Sequence, residues 1–459
     1  MLNATQNDLL TRTDAATPMG AMLRRFWLPV LLSRDLPGPD CPPTRVTVMG
    51  EKLVAFRDTS GRVGLVEPRC PHRGADLFWG RNEECGLRCS YHGLKFDVYG
   101  ECLDVPTIAP DGNYEAIRAR LRIKAYPARD HGDLIWAYLG PVDGMPALPA
   151  MEFATLPPTH RHVSKKRQES NWLQALEGLF DPAHVSFLHR AVTRSDEEMM
   201  KVMSKSNSAF PDRLRWLRDD PRPQFTFLPH EIGFVCGASR SADDDRKFWR
   251  ISQFLMPNHG LGTSAFPGEP MDGQTVVPID DHSCWVYTIS WNPFRPFSHD
   301  EILRFDEGHG LHAHVDGAGM PLRNFSNDYL IDRKDQKERS YSGIVGISEQ
   351  DSCVQESQGS IADRTTEHLL ASDAGVMRLR RTLLDAVKGS QAGEVPAAST
   401  RPEAYFVRSG GALCPGSMPL QQVMKERFGD EFARIQAAGG PVPGEIKHRQ
   451  DEQCIPSAN

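Results

Sequence analysis

Residues 70–102 decide the fold, and they read CPHRGADLFWGRNEECGLRCSYHGLKFDVYGEC. Cys70 and His72 form one pair in this stretch, and Cys89 and His92 form a second pair after residues 73–88. Two thiolates and two imidazoles on paired loops hold either a zinc ion or a [2Fe–2S] cluster of the Rieske type. The spacing of the four residues leaves both possibilities open.

The residues around the two pairs favour the iron–sulfur cluster. Gly74 and Gly93 follow the pairs closely, where a loop that wraps a cluster directs its backbone amides at sulfur. The loops CPHRG and CSYHG closely resemble the paired cluster loops of Rieske oxygenases. Imidazoles in place of two thiolates raise the reduction potential of such a cluster, which suits the relay of electrons. We predict a [2Fe–2S] Rieske cluster, with a zinc-stabilised binding module as the alternative. The predicted cluster ligands are Cys70, His72, Cys89 and His92.

Composition places the chain among ordinary globular proteins. It has 459 residues, of which 39% are apolar and 25% charged, and a length of this kind suggests about two or three domains. The net charge of −7 argues against the broad basic surface that nucleic acid or an anionic membrane requires. The first twenty residues lack the apolar stretch of a secretory signal. We therefore expect a cytoplasmic protein with neither a nucleic-acid nor a membrane partner.

Periodicity divides the chain into a β-rich part and a mixed part. Residues 44–66 alternate apolar and polar side chains around turn residues, which predicts a β-hairpin, and short strands recur to about residue 140. We predict an all-β domain over residues 25–140 and a proline-rich linker over 141–158. Helices flanking an antiparallel sheet predict an α+β second domain over residues 160–390. Residues 391–459 form a C-terminal extension to which the sequence assigns no role.

A second group of metal-binding side chains lies in residues 171–189, which read NWLQALEGLFDPAHVSFLH. Two histidines and a distant carboxylate form the facial triad of non-heme Fe(II) enzymes. On an ideal helix His184 and His189 lie about 140° apart and do not converge. Pro182 predicts a break in the helix at Asp181. Considered alone, Asp181 fits a helix cap and each histidine fits an ordinary core or surface residue.

The same segment resembles the Glu-x3-Asp-x2-His-x4-His signature of Rieske oxygenases, with Glu177 in the first position. The resemblance implies that His184 and His189 bind a mononuclear Fe(II). It implies that Asp181 is not a metal ligand. In that family this aspartate forms hydrogen bonds to the iron-bound histidine and to a cluster histidine of the neighbouring subunit.

The carboxylate ligand of the iron lies far along the chain. The family pattern places it as an Asp five residues before a Glu, and Asp351 with Glu356 fits that pattern in SEQDSCVQESQG. Asp363 and Asp373 on the following helical stretch are rival candidates that fit a cap or an ion pair equally well. We predict Asp351 as the third ligand.

The resemblance extends over most of the chain. The stretches NWLQALEG, FWRISQFLMPN, NDYLIDRKDQK and VQESQGSIADR are most similar to the phthalate dioxygenase branch of Rieske oxygenases. This similarity implies a Rieske domain followed by a helix-grip catalytic domain. It also implies an oligomer of identical subunits, either a trimer or a pair of stacked trimers. The implied activity uses O2, and electrons from a separate NADH-dependent reductase, to hydroxylate a small aromatic substrate.

Two arginines are candidates for substrate binding. Phthalate-type substrates carry carboxylates, which arginine forks recognise well, and Arg213 and Arg250 lie between the two sets of iron ligands. A strand arginine more often forms a structural ion pair or belongs to an exposed face. The same branch contains aryl-ether O-demethylases, so that O-demethylation is an alternative to hydroxylation of an aromatic carboxylate. A simple Rieske electron carrier is a further alternative, but it leaves the second histidine site unexplained.

Overall fold

The computed structural model describes residues 1–192, 198, 212–262 and 265–437. The chain divides into two compact units. The first unit comprises Arg24–Pro146. The second comprises Met1–Leu23 together with the described residues from Ala147 onward.

The unit Arg24–Pro146 contains three antiparallel sheets, with strand orders β1-β11-β10, β2-β3-β4-β9 and β5-β6-β7-β8. The strands are β1 (Trp27–Leu32), β2 (Thr44–Val48), β3 (Glu51–Arg57), β4 (Val63–Val66), β5 (Arg81–Glu83), β6 (Gly86–Arg88), β7 (Lys95–Phe96), β8 (Cys102–Asp104), β9 (Ala125–Tyr126), β10 (Ala128–His131) and β11 (Leu134–Tyr138). One short helix, Tyr114–Arg118, follows β8.

The hairpin predicted at residues 44–66 is present as β2 and β3, followed by β4. Val48 pairs with Glu51, and the turn residues Met49 and Gly50 between them have φ of 48° and 74°. Two successive positive φ angles are typical of the type I′ turn, whose twist matches that of the strands it joins. Apolar side chains of these strands, such as Val54, share one core with the cluster-loop cysteines.

The second unit contains a sheet of eight strands within the described residues, ordered β12-β18-β17-β16-β15-β14-β13 with β19 paired to β15. The strands are β12 (Arg161–Gln168), β13 (Gln224–His230), β14 (Gly233–Ser241), β15 (Arg246–Leu255), β16 (His259–Leu261), β17 (Met271–Pro278), β18 (Cys284–Trp291) and β19 (Gly410–Pro415). All of these pairings are antiparallel. The α-helices are Ala4–Thr11, Pro18–Leu23, Glu152–Thr155, Trp172–Gly178, Arg213–Asp219, His299–Asp306, Arg333–Glu338, Ile347–Glu356, Ala374–Gln391 and Leu420–Ala437.

This architecture confirms the predicted fold class, an all-β domain followed by a catalytic domain with an antiparallel sheet. A buried helix, Glu152–Thr155, lies within the predicted linker, and β19 belongs to the eight-stranded sheet although it lies beyond residue 390. The guanidinium of Arg408, just before β19, donates to the carboxylate of Glu152 at 2.9 Å, and both side chains are buried. This ion pair fastens the segment before β19 to the same unit.

No helix among the described residues is long and apolar enough to cross a membrane.

Candidate active site and metal centres

The two cluster loops repeat one backbone pattern. The amide of Gly74 donates to the carbonyl of Cys70 at 2.8 Å, and that of Gly93 donates to the carbonyl of Cys89 at 2.9 Å. Both glycines have positive φ, 73° and 77°, a conformation that glycine adopts without strain. The paired Cys-x-His and Cys-x2-His motifs therefore form two closely similar turns.

The four predicted cluster ligands lie together, with sulfur inside and imidazole outside. Cys70 and Cys89 are buried, whereas His72 is exposed and His92 half-buried. The two imidazole ring centroids lie 4.5 Å apart. Burial raises the pKa of the Cys70 thiol, so that a bound metal is needed to hold it as a thiolate.

One polar atom of this site has no protein partner. Nδ1 of His92 is buried and has no hydrogen-bond partner in the described structure. Partial burial, and after it the charges of His72 and Arg73, lower the pKa of His92, which favours the neutral ring that a metal requires. Two buried thiols and two imidazoles at the surface fit the asymmetric ligand set of a Rieske cluster.

His184, His189 and Asp351 converge in the second unit. The Nε2 atoms of His184 and His189 lie 3.2 Å apart. Oδ1 of Asp351 lies 3.5 Å from Nε2 of His184 and 3.2 Å from Nε2 of His189. Within the described part of the chain, these three residues are the one group of metal-binding side chains with ligand atoms this close together. Two imidazoles and one carboxylate fit the facial triad of non-heme iron.

The break predicted at Asp181 brings the two histidines together. The helix Trp172–Gly178 ends before Asp181, and a short 3₁₀ turn, His184–Ser186, follows. Oδ1 of Asp181 accepts a hydrogen bond from the amide of Ala183 at 3.1 Å, which starts this turn. A continuous helix would hold the two rings about 140° apart, and the change to a tight turn removes that obstacle.

The far ring nitrogens of both histidines face acceptors. Oδ2 of Asp181 lies 3.6 Å from Nδ1 of His184, and Oε1 of Gln350 lies 2.6 Å from Nδ1 of His189. The side-chain amide of Gln350 donates in turn to the carbonyl of Ile344 at 2.8 Å. A partner at Nδ1 fixes the tautomer that leaves Nε2 free to bind metal.

Gln350 is a residue that the sequence analysis missed. No spacing marks it, and its position directly before Asp351 was the available signal.

Although burial opposes ionisation of Asp351, the imidazoles of His189 and His184 hold the pKa of this carboxyl below its ordinary value. The third ligand is therefore a carboxylate, ready to bind a cation. The rival aspartates lie elsewhere. Asp363 is exposed and accepts from the amide of Thr365 at 3.0 Å, and Asp373 accepts from the amide of Leu370 at 2.6 Å. Each of these two carboxylates therefore stabilises a local turn of the backbone.

Glu177, the first residue of the signature, anchors the helix that leads to the break. Its carboxylate binds Arg364 at 2.9 Å and Arg380 at 2.6 Å, and both guanidinium groups are buried. Although burial opposes ionisation, these two arginines hold the pKa of Glu177 below its ordinary value. Glu177 thus has a structural role in positioning Asp181 and His184.

A cavity of about 140 Å³ opens onto the triad. Its apolar lining includes Leu179, Val185, Leu217, Val286 and Ile347. Among the described residues, its cationic lining comprises Lys166, Arg190, Arg218 and Arg250. An apolar cavity with a few fixed polar groups is the usual form of a small-molecule site.

The two predicted substrate arginines have different surroundings. Arg250 lines the cavity. Arg213 is not among the described lining residues: its guanidinium binds the carboxylate of Glu269 at 2.9 Å and lies over the ring of Phe266. The ion-pair interpretation therefore accounts for Arg213, and Arg250 is the better placed of the two.

Comparisons with known proteins match both parts of the chain to known families. The family described as Rieske [2Fe-2S] domain matches residues 26–127, and the family described as LigXa C-terminal domain like matches residues 137–422. The 3-chlorobenzoate-3,4-dioxygenase oxygenase subunit of Comamonas testosteroni is 34% identical, over 92% of this chain and 98% of its own. The phthalate 4,5-dioxygenase oxygenase subunit of Pseudomonas putida is 35% identical, over 86% and 88% respectively.

A third relative is the 5,5'-dehydrodivanillate O-demethylase oxygenase subunit of a Sphingobium strain, 32% identical over 87% of this chain and 84% of its own. Among solved structures, dicamba monooxygenase bound to dicamba superimposes with a TM-score of 0.53 at 17% identity, over 81% of this chain and 99% of that one. The structural likeness shows the shared fold.

A Rieske domain joined to a catalytic domain with a two-histidine, one-carboxylate group defines the oxygenase component of a two-centre iron enzyme. The chain belongs to the family of Rieske non-heme iron oxygenase α subunits. The cofactors of this family are a [2Fe–2S] cluster and a mononuclear Fe(II), and the residues described above fit both. When bound, the cluster relays single electrons and the mononuclear iron activates O2. The zinc-module and electron-carrier alternatives are wrong.

Proposed function

We propose that this oxygenase component hydroxylates an aromatic carboxylate. The observation that carries the proposal is the cavity beside His184, His189 and Asp351, whose described lining combines apolar side chains with polar groups that include Arg250. Burial, and after it the charges of Arg240 and Arg213, lower the pKa of Arg250 to about 9. The guanidinium is therefore still charged at neutral pH, and an anion beside it would be stabilised.

The names of two relatives support this class of substrate. 3-Chlorobenzoate and phthalate are aromatic carboxylates, and the subunits that act on them are 34% and 35% identical to this chain. An apolar wall accommodates the ring, and a buried cation fixes the carboxylate, so that one ring edge faces the triad.

We assign the residues as follows. Cys70, His72, Cys89 and His92 hold the Rieske cluster, and His184, His189 and Asp351 hold the Fe(II). Asp181 orients His184 and links it to the cluster of a neighbouring subunit. Its position 3.6 Å from Nδ1 of His184 supports the first half of that assignment.

The reaction needs partners outside this chain. The protein is one component of a multi-component system, so a separate reductase supplies electrons and O2 is the oxidant. We propose that this reductase is NADH-dependent and that the protein works in the cytoplasm, where NADH is available. We propose a homotrimer, or two stacked trimers, in which the cluster of one subunit serves the iron of the next.

O-demethylation is the second candidate. The LigXa C-terminal domain like match over residues 137–422 and the O-demethylase relative at 32% identity favour it. In that reaction a methoxy-substituted aromatic acid and O2 take up two electrons and two protons, giving a phenol, formaldehyde and water.

One experiment separates the two candidates. The protein is supplied with a surrogate reductase, NADH and ¹⁸O2, and screened against aromatic carboxylates and methoxy-substituted aromatic acids. Ring dihydroxylation gives a diol that contains both labelled oxygen atoms. O-demethylation gives formaldehyde and a phenol that keeps its unlabelled ether oxygen. Failure to oxidise any aromatic acid would contradict the proposal.

A further inference from the structure

Lys166 places a buried positive charge in the wall of the catalytic cavity. It lies on β12, is 4% exposed and lines the cavity together with Gln168. Alternate residues of a strand share a face, so Lys166 and Gln168 project to the same side. None of the metal-binding motifs includes this lysine.

The ammonium group has only neutral hydrogen-bond partners. Nζ donates to the carbonyl of Ser348 at 3.0 Å and to Oγ of Ser352 at 2.5 Å. Within the described structure no carboxylate oxygen lies within 4.0 Å of Nζ. Burial lowers the pKa of the Lys166 ammonium, and the carboxylates of Glu349, Asp351 and Glu356 oppose that shift from longer range. An ammonium has three N–H donors, of which these bonds use two. A buried charge without an adjacent opposite charge is unfavourable.

A purely structural role leaves that charge unexplained. Ser348 and Ser352 belong to the helix Ile347–Glu356 that carries Asp351, so Lys166 does join this helix to β12. Gln168 makes the same connection with neutral groups. Its side-chain amide donates to Oε1 of Gln355 at 2.8 Å, and its Oε1 accepts from Ser352 at 3.3 Å. A neutral side chain at position 166 would complete the connection without the larger desolvation cost of a buried charge.

Lys166 and Arg250 lie in different walls of the cavity. β12 is at one end of the sheet, and β15, which carries Arg250, is four strands away in the order β12-β18-β17-β16-β15. Four strand spacings amount to about 19 Å along a flat sheet, so these side chains reach the cavity from two sides. A single carboxylate held by Arg250 therefore leaves Lys166 without an anionic partner.

Building on the proposed function, we propose that Lys166 binds a second anionic oxygen of the substrate while Arg250 binds the ring carboxylate. The substrate class is then an aromatic acid with a further carboxylate group. The bound oxygen takes the third N–H of the ammonium and places an opposite charge within hydrogen-bond distance of Nζ.

The test separates the effect of the positive charge at position 166 from the effect of the hydrogen bonds that this side chain makes. Lys166→Gln keeps a donor for the Ser348 carbonyl but removes the charge, and Lys166→Met removes both. Binding of benzoate and of the three benzenedicarboxylates is measured by calorimetry under anaerobic conditions without reductase. Iron content and the Rieske absorption spectrum verify folding. Lys165→Gln is the control, because Lys165 projects from the opposite face of β12 and its ammonium lies over the ring of Trp285.

We expect the wild-type protein to bind at least one dicarboxylate more tightly than benzoate. Lys166→Gln should weaken the binding of that dicarboxylate by about 10- to 100-fold, which is the loss expected for one charge-assisted hydrogen bond. The affinity for benzoate should be unchanged. Lys165→Gln should match the wild type.

Three results would overturn the inference. They are a wild-type protein with no preference for dicarboxylates, a Lys166→Gln variant that keeps the preference, and an equal loss of benzoate and dicarboxylate affinity. The last result would mean that Lys166 only joins β12 to the helix Ile347–Glu356. If the wild-type protein binds no aromatic carboxylate at all, the proposed function fails as well, which distinguishes the two failures. If Lys166→Met does not fold, Lys166→Gln carries the test.

Discussion

Each histidine of the triad has an acceptor near its second ring nitrogen. Asp181 faces Nδ1 of His184 and Gln350 faces Nδ1 of His189, so both Nε2 atoms are directed at Asp351. Ordered acceptors at these positions reduce the freedom of the rings before metal binds. The site is therefore largely arranged by the protein itself.

Asp351→Ala tests the choice of carboxylate ligand. Because this replacement removes one of three ligands, we expect the purified variant to lose most of its mononuclear iron and its oxygenase activity. The cluster spectrum should be unchanged, since Cys70 and Cys89 are untouched. Iron and sulfide analysis measures both. Asp363→Ala is the control and should retain wild-type iron content, because that carboxylate caps an exposed turn. Full iron in Asp351→Ala with loss in Asp363→Ala would show that the assignment is wrong.

Gln350→Leu tests the orientation of His189. Leucine is similar in size but accepts no hydrogen bond, so Nδ1 loses its partner. Loss of such a partner typically weakens metal affinity by about 10- to 100-fold. The measurement is the rate at which a ferrous chelator removes the mononuclear iron. Gln358→Leu, an exposed position on the same segment, should behave as the wild type. Equal rates in all three proteins would contradict a role for Gln350.

The sequence predicts these residues to different degrees. The histidines follow from a local motif with fixed spacing, whereas Asp351 follows only from the family pattern, because its partners lie more than 160 positions earlier. Gln350 has no recognisable spacing, since its function depends on the close approach of two distant segments. Arg213 shows the converse: an arginine between the ligand sets was a reasonable candidate, and its partner Glu269 could not be inferred from spacing.

At the scale of elements, local patterns were more informative than long-range pairings. The hairpin at residues 44–66 follows from alternation and turn residues. β19 does not, because its sequence GGALCP carries two glycines and no alternation, and it forms only by pairing with β15. The buried helix Glu152–Thr155 was hidden by the prolines around it. Tertiary contacts override local propensity in both cases.

Gly93 and Gly74 offer a matched test of the cluster loops. Both need positive φ, so an alanine costs about 1–2 kcal/mol at either position. A Cβ at Gly74 meets no atom within 4 Å, whereas one at Gly93 would lie 2.7 Å from Cγ of Pro106. We expect Gly93→Ala to lose its cluster at a lower temperature than Gly74→Ala. Thermal bleaching of the Rieske absorption band measures the difference, and identical bleaching curves would contradict the described geometry.

At the scale of the whole molecule, the two metal sites belong to two separate compact units. The proposed ring of subunits supplies a route for electrons from one subunit to the next. Sedimentation of the holoenzyme tests that assembly, and a fully active monomer would contradict it. Within the catalytic unit, the residue proposed to complete the route is Asp181, which also makes the local contacts of a helix cap.

Asp181→Asn separates the two roles of this residue. Oδ1 accepts from the amides of Ala183 and His184 at 3.1 and 3.4 Å, and asparagine caps a helix as well as aspartate. At Oδ2, however, asparagine places an N–H group opposite Nδ1 of His184, where two donors face each other. We therefore expect a folded variant with both metal sites filled and a cluster that the reductase reduces at the normal rate. Reoxidation of the reduced cluster by O2 with substrate bound, followed by stopped flow, should slow by about a hundredfold or more. Asp332→Asn is the control, because Asp332 caps its helix through the amides of Lys334 and Asp335 and has no histidine beside it in the described structure. If Asp181→Asn reoxidises as fast as Asp332→Asn, Asp181 is a helix cap and the electrons take another route.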